Sequence, residues 1–402
     1  MFIRSIHQQN TSAIAFIAQA AYQIYRSRTE QMSTLKLLID KALTYQDYDL
    51  YILLTDMSKA FDMVKRDILI EDLKEFLDDD ELHIVKLLIE NVKYKIKVGQ
   101  TIGEEFETTL GIAQGDCLSA ILFIIYLSKT LNFKPQLRDH NYALPETLGE
   151  ETPKHLNEHN YTIGETQIHE KYQESLMIPL QYADDCGYAI VSKDSHLMKY
   201  TATTIPSKLK KRNLICNESK NEDYVVTRNG SKDFEKCKYL GTMLDTKKDF
   251  QRRKILAITS MNTFSHIWEN KHLSLKLKQR IFNACVAPVM LAGSELWTLN
   301  ETLKKQINSF QRRLLRRILN IKWPKKLSNE RLTEIIKYEE WSNTVTKSQI
   351  RWYGHALRLP EDTPCKMALT EYNRITKKPR GGQKQTWIKQ VHKDLERMNI
   401  DE

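Results

Sequence analysis

An α+β fold follows from three observations on the sequence. An unbroken apolar run, Leu50-Tyr51-Ile52-Leu53-Leu54-Thr55, ends in Asp56 and gives way to Val64, Ile68, Leu69 and Leu73 at helical spacing. Two short apolar runs, residues 176–180 and 187–191, flank Gln181-Tyr182-Ala183-Asp184-Asp185, the pattern of a β-hairpin with an acidic tip. Beyond residue 246 the pattern turns helical and basic, with Gln251-Arg252-Arg253-Lys254 and Gln311-Arg312-Arg313-Leu314-Leu315-Arg316-Arg317 set between apolar stretches. A strand-and-helix unit followed by a helical basic region is the expected order.

At 402 residues, with 41% hydrophobic and 28% charged content, the chain can bury a substantial core divided into two or three subdomains. The apolar stretch at residues 13–21 falls short of the roughly 20 residues of a membrane span, and no membrane partner is expected. None of the six cysteines lies in a Cys-x-x-Cys pair, so reduced, mostly buried thiols are expected. Net charge is +10 but unevenly spread: residues 251–402 carry +16 and residues 1–250 carry −6. An acidic half joined to a basic half suits a metal site beside a surface that holds a polyanion.

In chain order, residues 32–42 read as a helix with Leu35, Leu38 and Ile39 on one face. After the strand ending at Asp56, residues 62–77 and 81–91 read as two amphipathic helices. Asp78-Asp79-Asp80 fills the break and is placed to cap the second. Residues 92–98 alternate as a half-exposed strand whose partner is residues 104–110. Leu110-Gly111-Ile112-Ala113-Gln114-Gly115-Asp116 is a glycine turn opening an apolar helix from Cys117. The polar stretch 131–175 reads as a surface insertion. Its His155-Leu156-Asn157-Glu158-His159 matches a zinc-peptidase spacing, but five residues in a polar stretch are outweighed by the solvated reading. Residues 193–212 read as a helix, residues 224–226 as a strand, and Lys238-Tyr239-Leu240-Gly241-Thr242-Met243 as a tight hairpin.

A strand-end aspartate, a glycine turn opening a helix and an Asp-Asp hairpin, in that order, resemble motifs A, B and C of the reverse transcriptase palm. The phrases DMSKAFD, GIAQGDCLSAILF and QYADD most resemble non-LTR (LINE-type) retrotransposon enzymes. Residues 19–27 resemble the family's fingers segment, with Gln23 where arginine is usual and Tyr25 where glycine is usual; the family carries more fingers sequence before this point, so the chain reads as an N-terminally shortened copy. Lys220 matches the motif D lysine, and residues 238–245 resemble the motif E primer grip. Residues 345–360 resemble the family's segment after the thumb. Trp352 and Tyr353 within it are expected to be core aromatics rather than base-stacking ones, and residues 377–382 form a basic loop.

The resemblance implies a right-hand polymerase: partial fingers at 1–48, a palm with a split βαβ-type antiparallel sheet at 49–245, a helical thumb-like region at 246–330 and a basic C-terminal region at 331–402. Helices are expected on one face of the palm sheet. It implies RNA-directed DNA polymerase activity, with Asp56, Asp184 and Asp185 as metal ligands and Lys220 protonating pyrophosphate. Phe61 would act as a steric gate against the ribose 2′-hydroxyl, Gln114 and Gly115 would lie beside nucleotide and template, and Asp62 would cap the following helix. The implied cofactor is Mg²⁺, as two ions roughly 4 Å apart, with Mn²⁺ an alternative. Implied partners are an RNA template, a DNA primer and dNTPs, in the nucleus or cytoplasm. Two readings stay open: a working polymerase over about residues 15–360, and a degenerate or domesticated copy that binds RNA or primer-template without polymerising. No endonuclease motif is legible, and oligomeric state is not encoded in any pattern seen.

Overall fold

The computed structural model describes residues 18–23, 26–45, 49–90, 92–131, 176–191, 195–321, 324–373 and 385–400. Tyr25, the zinc-like His155–His159 spacing, most of the 131–175 insertion and the basic loop at 377–382 lie outside them.

Helix α1 (Arg28–Ala42) leads into β1 (Leu50–Thr55), then α2 (Arg66–Leu73), α3 (Asp79–Ile89) and the hairpin β2 (Lys93–Val98) and β3 (Thr101–Glu107). Helix α4 (Cys117–Leu131) precedes the hairpin β4 (Leu176–Tyr182) and β5 (Asp185–Val191). These are followed by α5 (Ser195–Lys211), β6 (Glu222–Val226) and the short hairpin β7 (Lys238–Tyr239) and β8 (Thr242–Met243). The larger helices beyond are α6 (Thr246–Thr263), α7 (Ser265–Glu269), α8 (Leu275–Cys285), α9 (Ala287–Leu291), α10 (Glu301–Ile318), α11 (Asn329–Ile335), α12 (Trp341–Leu357), α13 (Pro364–Asn373) and α14 (Trp387–Met398).

The central sheet runs β4-β5-β1-β6, antiparallel throughout. Strand β5 lies between β1 and β4, which is the split βαβ arrangement that the resemblance implies. All six residues of β1 are buried. Side chains alternate across a strand, so this apolar run must face two cores. Tyr51 and Leu53 pack with α2, α3, α4 and α5 around Leu69, Val85, Phe123 and Leu209. Leu50, Ile52 and Leu54 pack on the other side with Leu35 and Leu38 of α1 and with Met367, Trp387 and Val391 of the C-terminal helices. Both faces are therefore covered, not one. The covering helices come from residues 28–42 and 341–398, too far apart in sequence for local periodicity to reveal that they share a core.

A third core holds the helical region together, with Phe250, Trp268, Phe282, Trp297, Phe310 and Trp341 at its centre. Asp78 caps α3 in a reciprocal pair with Glu81, as the acidic triplet predicts. Asp62 does not cap α2: the residue preceding that helix is Lys65, without a side-chain cap bond, and Asp62 lies in a 3₁₀ turn, Ala60–Met63. Tyr353 is buried against Trp387 and hydrogen-bonds His392 at 3.0 Å, while Trp352 is half-buried beside His355. Both are core aromatics, as expected. Cys186, Cys216, Cys237 and Cys365 are buried free thiols. Among the described residues no helix is long and apolar enough to cross a membrane.

Candidate active site

The register of the sheet gathers the acidic residues. Thr55 pairs with Cys186, so Asp56, one step beyond β1, stands next to Asp185 at the same end of the sheet. Tyr182 pairs with Asp185 and closes the β4–β5 hairpin over a two-residue loop, Ala183-Asp184. Ala183 has φ +56°, whereas Asp184 stays out of the left-handed region. That sign pattern is the type II′ turn, whose first position glycine normally fills. The Asp185 carboxyl is pushed above the usual range first by loss of hydration, then by the neighbouring Asp184 and Asp56 carboxylates.

Lys220 is the last residue of the 3₁₀ turn Glu218–Lys220 and places Nζ 3.0 Å from Asp56 Oδ2. The Asp56 carbonyl accepts from the Asn217 N–H at 2.8 Å, so backbone and side chain both hold this segment against the end of β1. Both charged side chains remain solvated, at 38% and 64% exposure, so the pair adds little to stability and its position matters more than its energy.

Phe61 is half-buried and stacks on Phe123 of α4 with ring centroids 4.5 Å apart. Its carbonyl accepts from Ile112 N–H at 3.0 Å, and Val64 O accepts from Gly111 N–H at 2.8 Å. Gly111 has φ +84°, and a Cβ there would come within 2.9 Å of the Asp62 carbonyl oxygen. Glycine is therefore required twice at this crossing of the 3₁₀ turn and the loop. Gln114 is exposed and its Nε2 donates to Asp62 Oδ1 at 3.4 Å. Gly115 has φ +94° with open space where a Cβ would stand, so its backbone conformation alone favours glycine.

Several residues that shape the site carry no local sequence signal. Arg66 is buried and donates to four acceptors: Gly111 O at 2.7 Å, Thr108 O at 2.5 Å, Thr108 Oγ1 at 2.8 Å and Leu110 O at 3.1 Å. It fastens the glycine loop to the start of α2. At the β7–β8 hairpin, Leu240 and Gly241 both have positive φ, a type I′ turn. Gly241 O accepts from Arg252 at 2.9 Å and Arg253 at 2.8 Å, and Arg28 reaches Leu240 O at 3.4 Å. Asp249, fully buried, accepts from Met243 N–H at 3.0 Å and Trp297 Nε1 at 2.9 Å. An open cleft of about 430 Å³ lies between this hairpin and the acidic turn, lined by Arg28, Tyr182, Asp185, Lys238, Leu240 and Gly241.

The candidate donor set consists of carboxylate oxygens, the ligands hard divalent cations prefer. Repulsion among Asp56, Asp184 and Asp185 is what a cation would relieve, and the Lys220 ammonium already supplies one positive charge to Asp56. Among the described residues no three acidic, histidine or cysteine side chains stand close enough together to enclose a metal. A magnesium ion held here would thus keep several waters or share substrate phosphates, as that ion commonly does.

An acidic hairpin beside a strand-end aspartate, on a split βαβ sheet with a glycine loop bonded to the turn after that strand, is the arrangement of a palm-type polymerase domain. The chain belongs to the reverse transcriptase (RNA-dependent DNA polymerase) family, whose model matches residues 5–244, more than half of its length. A transposon-derived protein of Caenorhabditis elegans is 29% identical over 87 residues, covering 21% of this chain and 31% of that protein. Among solved structures, telomerase from Candida tropicalis in complex with a fragment of telomeric RNA aligns over 94% of this chain and 56% of its own, at 14% identity and a TM-score of 0.42. Telomerase from Candida albicans gives 12% identity and a TM-score of 0.40, with the same coverage of both chains. The chain spans about a third of the curated relative and just over half of these telomerase chains.

Proposed function

We propose that this chain is the polymerase part of a non-LTR retrotransposon reverse transcriptase, extending a DNA primer with dNTPs on an RNA template. The observation that carries the reading is the β1–β5 register, which sets Asp56 beside the Asp184-Asp185 turn at one end of the sheet. Asp56, Asp184 and Asp185 would hold two Mg²⁺ ions, or Mn²⁺ in their place. Bound there, divalent ions supply Lewis-acid stabilisation of the attacking and leaving oxygens in a phosphoryl displacement. Lys220, already beside Asp56, is placed to give a proton to departing pyrophosphate. The Phe61 ring is fixed by Phe123, a rigid support for rejecting a ribose 2′-hydroxyl. Gln114 and Gly115, both exposed on the glycine loop, would meet nucleotide and template.

A second reading, a protein that binds RNA or primer-template without polymerising, is favoured by one observation. Among the described residues the acidic side chains do not converge into an enclosed three-ligand site. Incorporation of dTTP on an RNA template with a DNA primer in Mg²⁺ separates the two. The polymerase reading expects the Asp184→Ala, Asp185→Ala double variant to lose about a thousandfold in rate while primer-template binding persists. Binding by the wild type with no incorporation would leave only the second reading.

A further inference from the structure

Gln19 sits behind the acidic turn, 1% exposed and 164 residues away from it in sequence. Its Oε1 accepts from the N–H of Ala183 at 2.9 Å and from the N–H of Ala21 at 2.9 Å. Its Nε2 donates to the Ala183 carbonyl at 3.3 Å. Two N–H donors converge on one end of the amide and a carbonyl faces the other, so only one orientation of the side chain satisfies all three groups. The segment around it is fixed too. Ala20 N–H donates to Gln181 O at 2.9 Å, and Gln181 N–H donates to Ala18 O at 3.1 Å. Gln31 of α1, fully buried, donates to Ala18 O at 3.0 Å and Gln181 O at 3.2 Å.

Both backbone polar groups of Ala183 are thus held by one side chain, at the residue whose positive φ is costly for anything but glycine. Without Gln19 those two groups would be buried with no partner, and the chain could recover them only by changing the turn. The next residue is Asp184. We infer that Gln19 is a positioning residue that holds the Ala183 peptide in its strained conformation and so fixes where the Asp184 and Asp185 carboxylates stand to receive a cation. Residues supporting metal ligands from behind commonly change metal affinity by about tenfold to a hundredfold when removed. The role in cation binding rests on the polymerase reading; the hold on the turn does not.

The test replaces Gln19 by methionine, similar in size but unable to hydrogen-bond, in the full chain. Gln349→Met is the matched control: Gln349 of α12 is also 1% exposed and donates to a backbone carbonyl, that of Trp297, outside the acidic hairpin. Hydrogen exchange across residues 180–186 and Mn²⁺ binding by water-proton relaxation are measured for all three proteins. Expected are faster exchange at the turn and Mn²⁺ affinity lower by about tenfold or more in Gln19→Met, with neither change in Gln349→Met. Gln19→Glu, which still accepts from Ala183 N–H, should restore much of the protection at that amide. Unchanged exchange at the turn in Gln19→Met overturns the inference, as does equal loosening in the control. A wild type that binds no Mn²⁺ would count against the polymerase reading, and the exchange rates would still decide the hold on the turn.

Discussion

Phe61 makes the residue-scale argument concrete, because its ring serves packing and the proposed selectivity at once. It is half-buried, stacked on Phe123 at 4.5 Å, and its backbone carries one of the bonds to the glycine loop. Phe61→Val should keep the backbone bond and free the space at the ring's edge. The ratio of kcat/KM for rNTP over dNTP is expected to rise by about tenfold to a hundredfold, the range one side chain's bulk gives in an apolar pocket. Steady-state incorporation with each nucleotide measures it, and an unchanged ratio with dNTP use intact would make Phe61 a packing residue alone. Asp56, Asp184 and Asp185 stood out because each is anchored to a local pattern, an apolar run with an acidic end or turn, and Phe61 because the family resemblance marks its place five residues after Asp56. Gln19 and Arg66 did not. A buried polar side chain is identified by what it bonds, and their partners lie 164 and 42 to 45 residues away.

At the scale of elements, the glycine loop and the start of α2 behave as one unit joined by Arg66. Its four acceptors include three carbonyls of residues 108–111, a stretch with little regular structure of its own. Arg66→Met keeps the length of the stem and abandons those acceptors, and should lower stability by about 3 kcal/mol in denaturant unfolding, the loss of one or two charge-assisted bonds net of rehydration. Arg66→Lys should recover less than half of that, since one ammonium cannot span a carbonyl set that a planar fork reaches. Full recovery by lysine would show that a single contact suffices. Boundaries of the elements followed the sequence well where caps or glycines mark them, as at Asp78 before α3 and at Leu240-Gly241 between β7 and β8. Helix α1 shows the converse: twelve of its fifteen residues are buried, polar ones included, so no single apolar face could announce what covers it.

Across the whole molecule, the C-terminal helices return to the beginning of the chain. Lys41 of α1 is buried against Glu371 of α13, Ser33 Oγ meets Cys365 Sγ at 3.0 Å, and Asp40 Oδ2 accepts from the Trp387 N–H at 2.9 Å. The basic surplus of the second half is partly spent in the same way. Lys278 donates to Trp268 O, Arg316 to Leu327 O and Arg253 to Gly241 O, so these cations brace backbone rather than face a polyanion. Charge counted along the sequence therefore overstates the surface free to hold nucleic acid. Trp387 is the point where the return is concentrated. Its indole Nε1 donates to Glu295 O at 2.8 Å, its ring meets Tyr353 edge-on, and its backbone is held by α1. Removing that ring empties a core shared by α1, β4 and α12–α14, a loss of about 3–5 kcal/mol for a buried aromatic. Trp387→Ala should accelerate hydrogen exchange in α1 and in β4, behind the acidic turn, as much as in α14 itself. Loosening confined to α14 would mean that the C-terminal helices merely rest on the palm, and that the polymerase core closes without them.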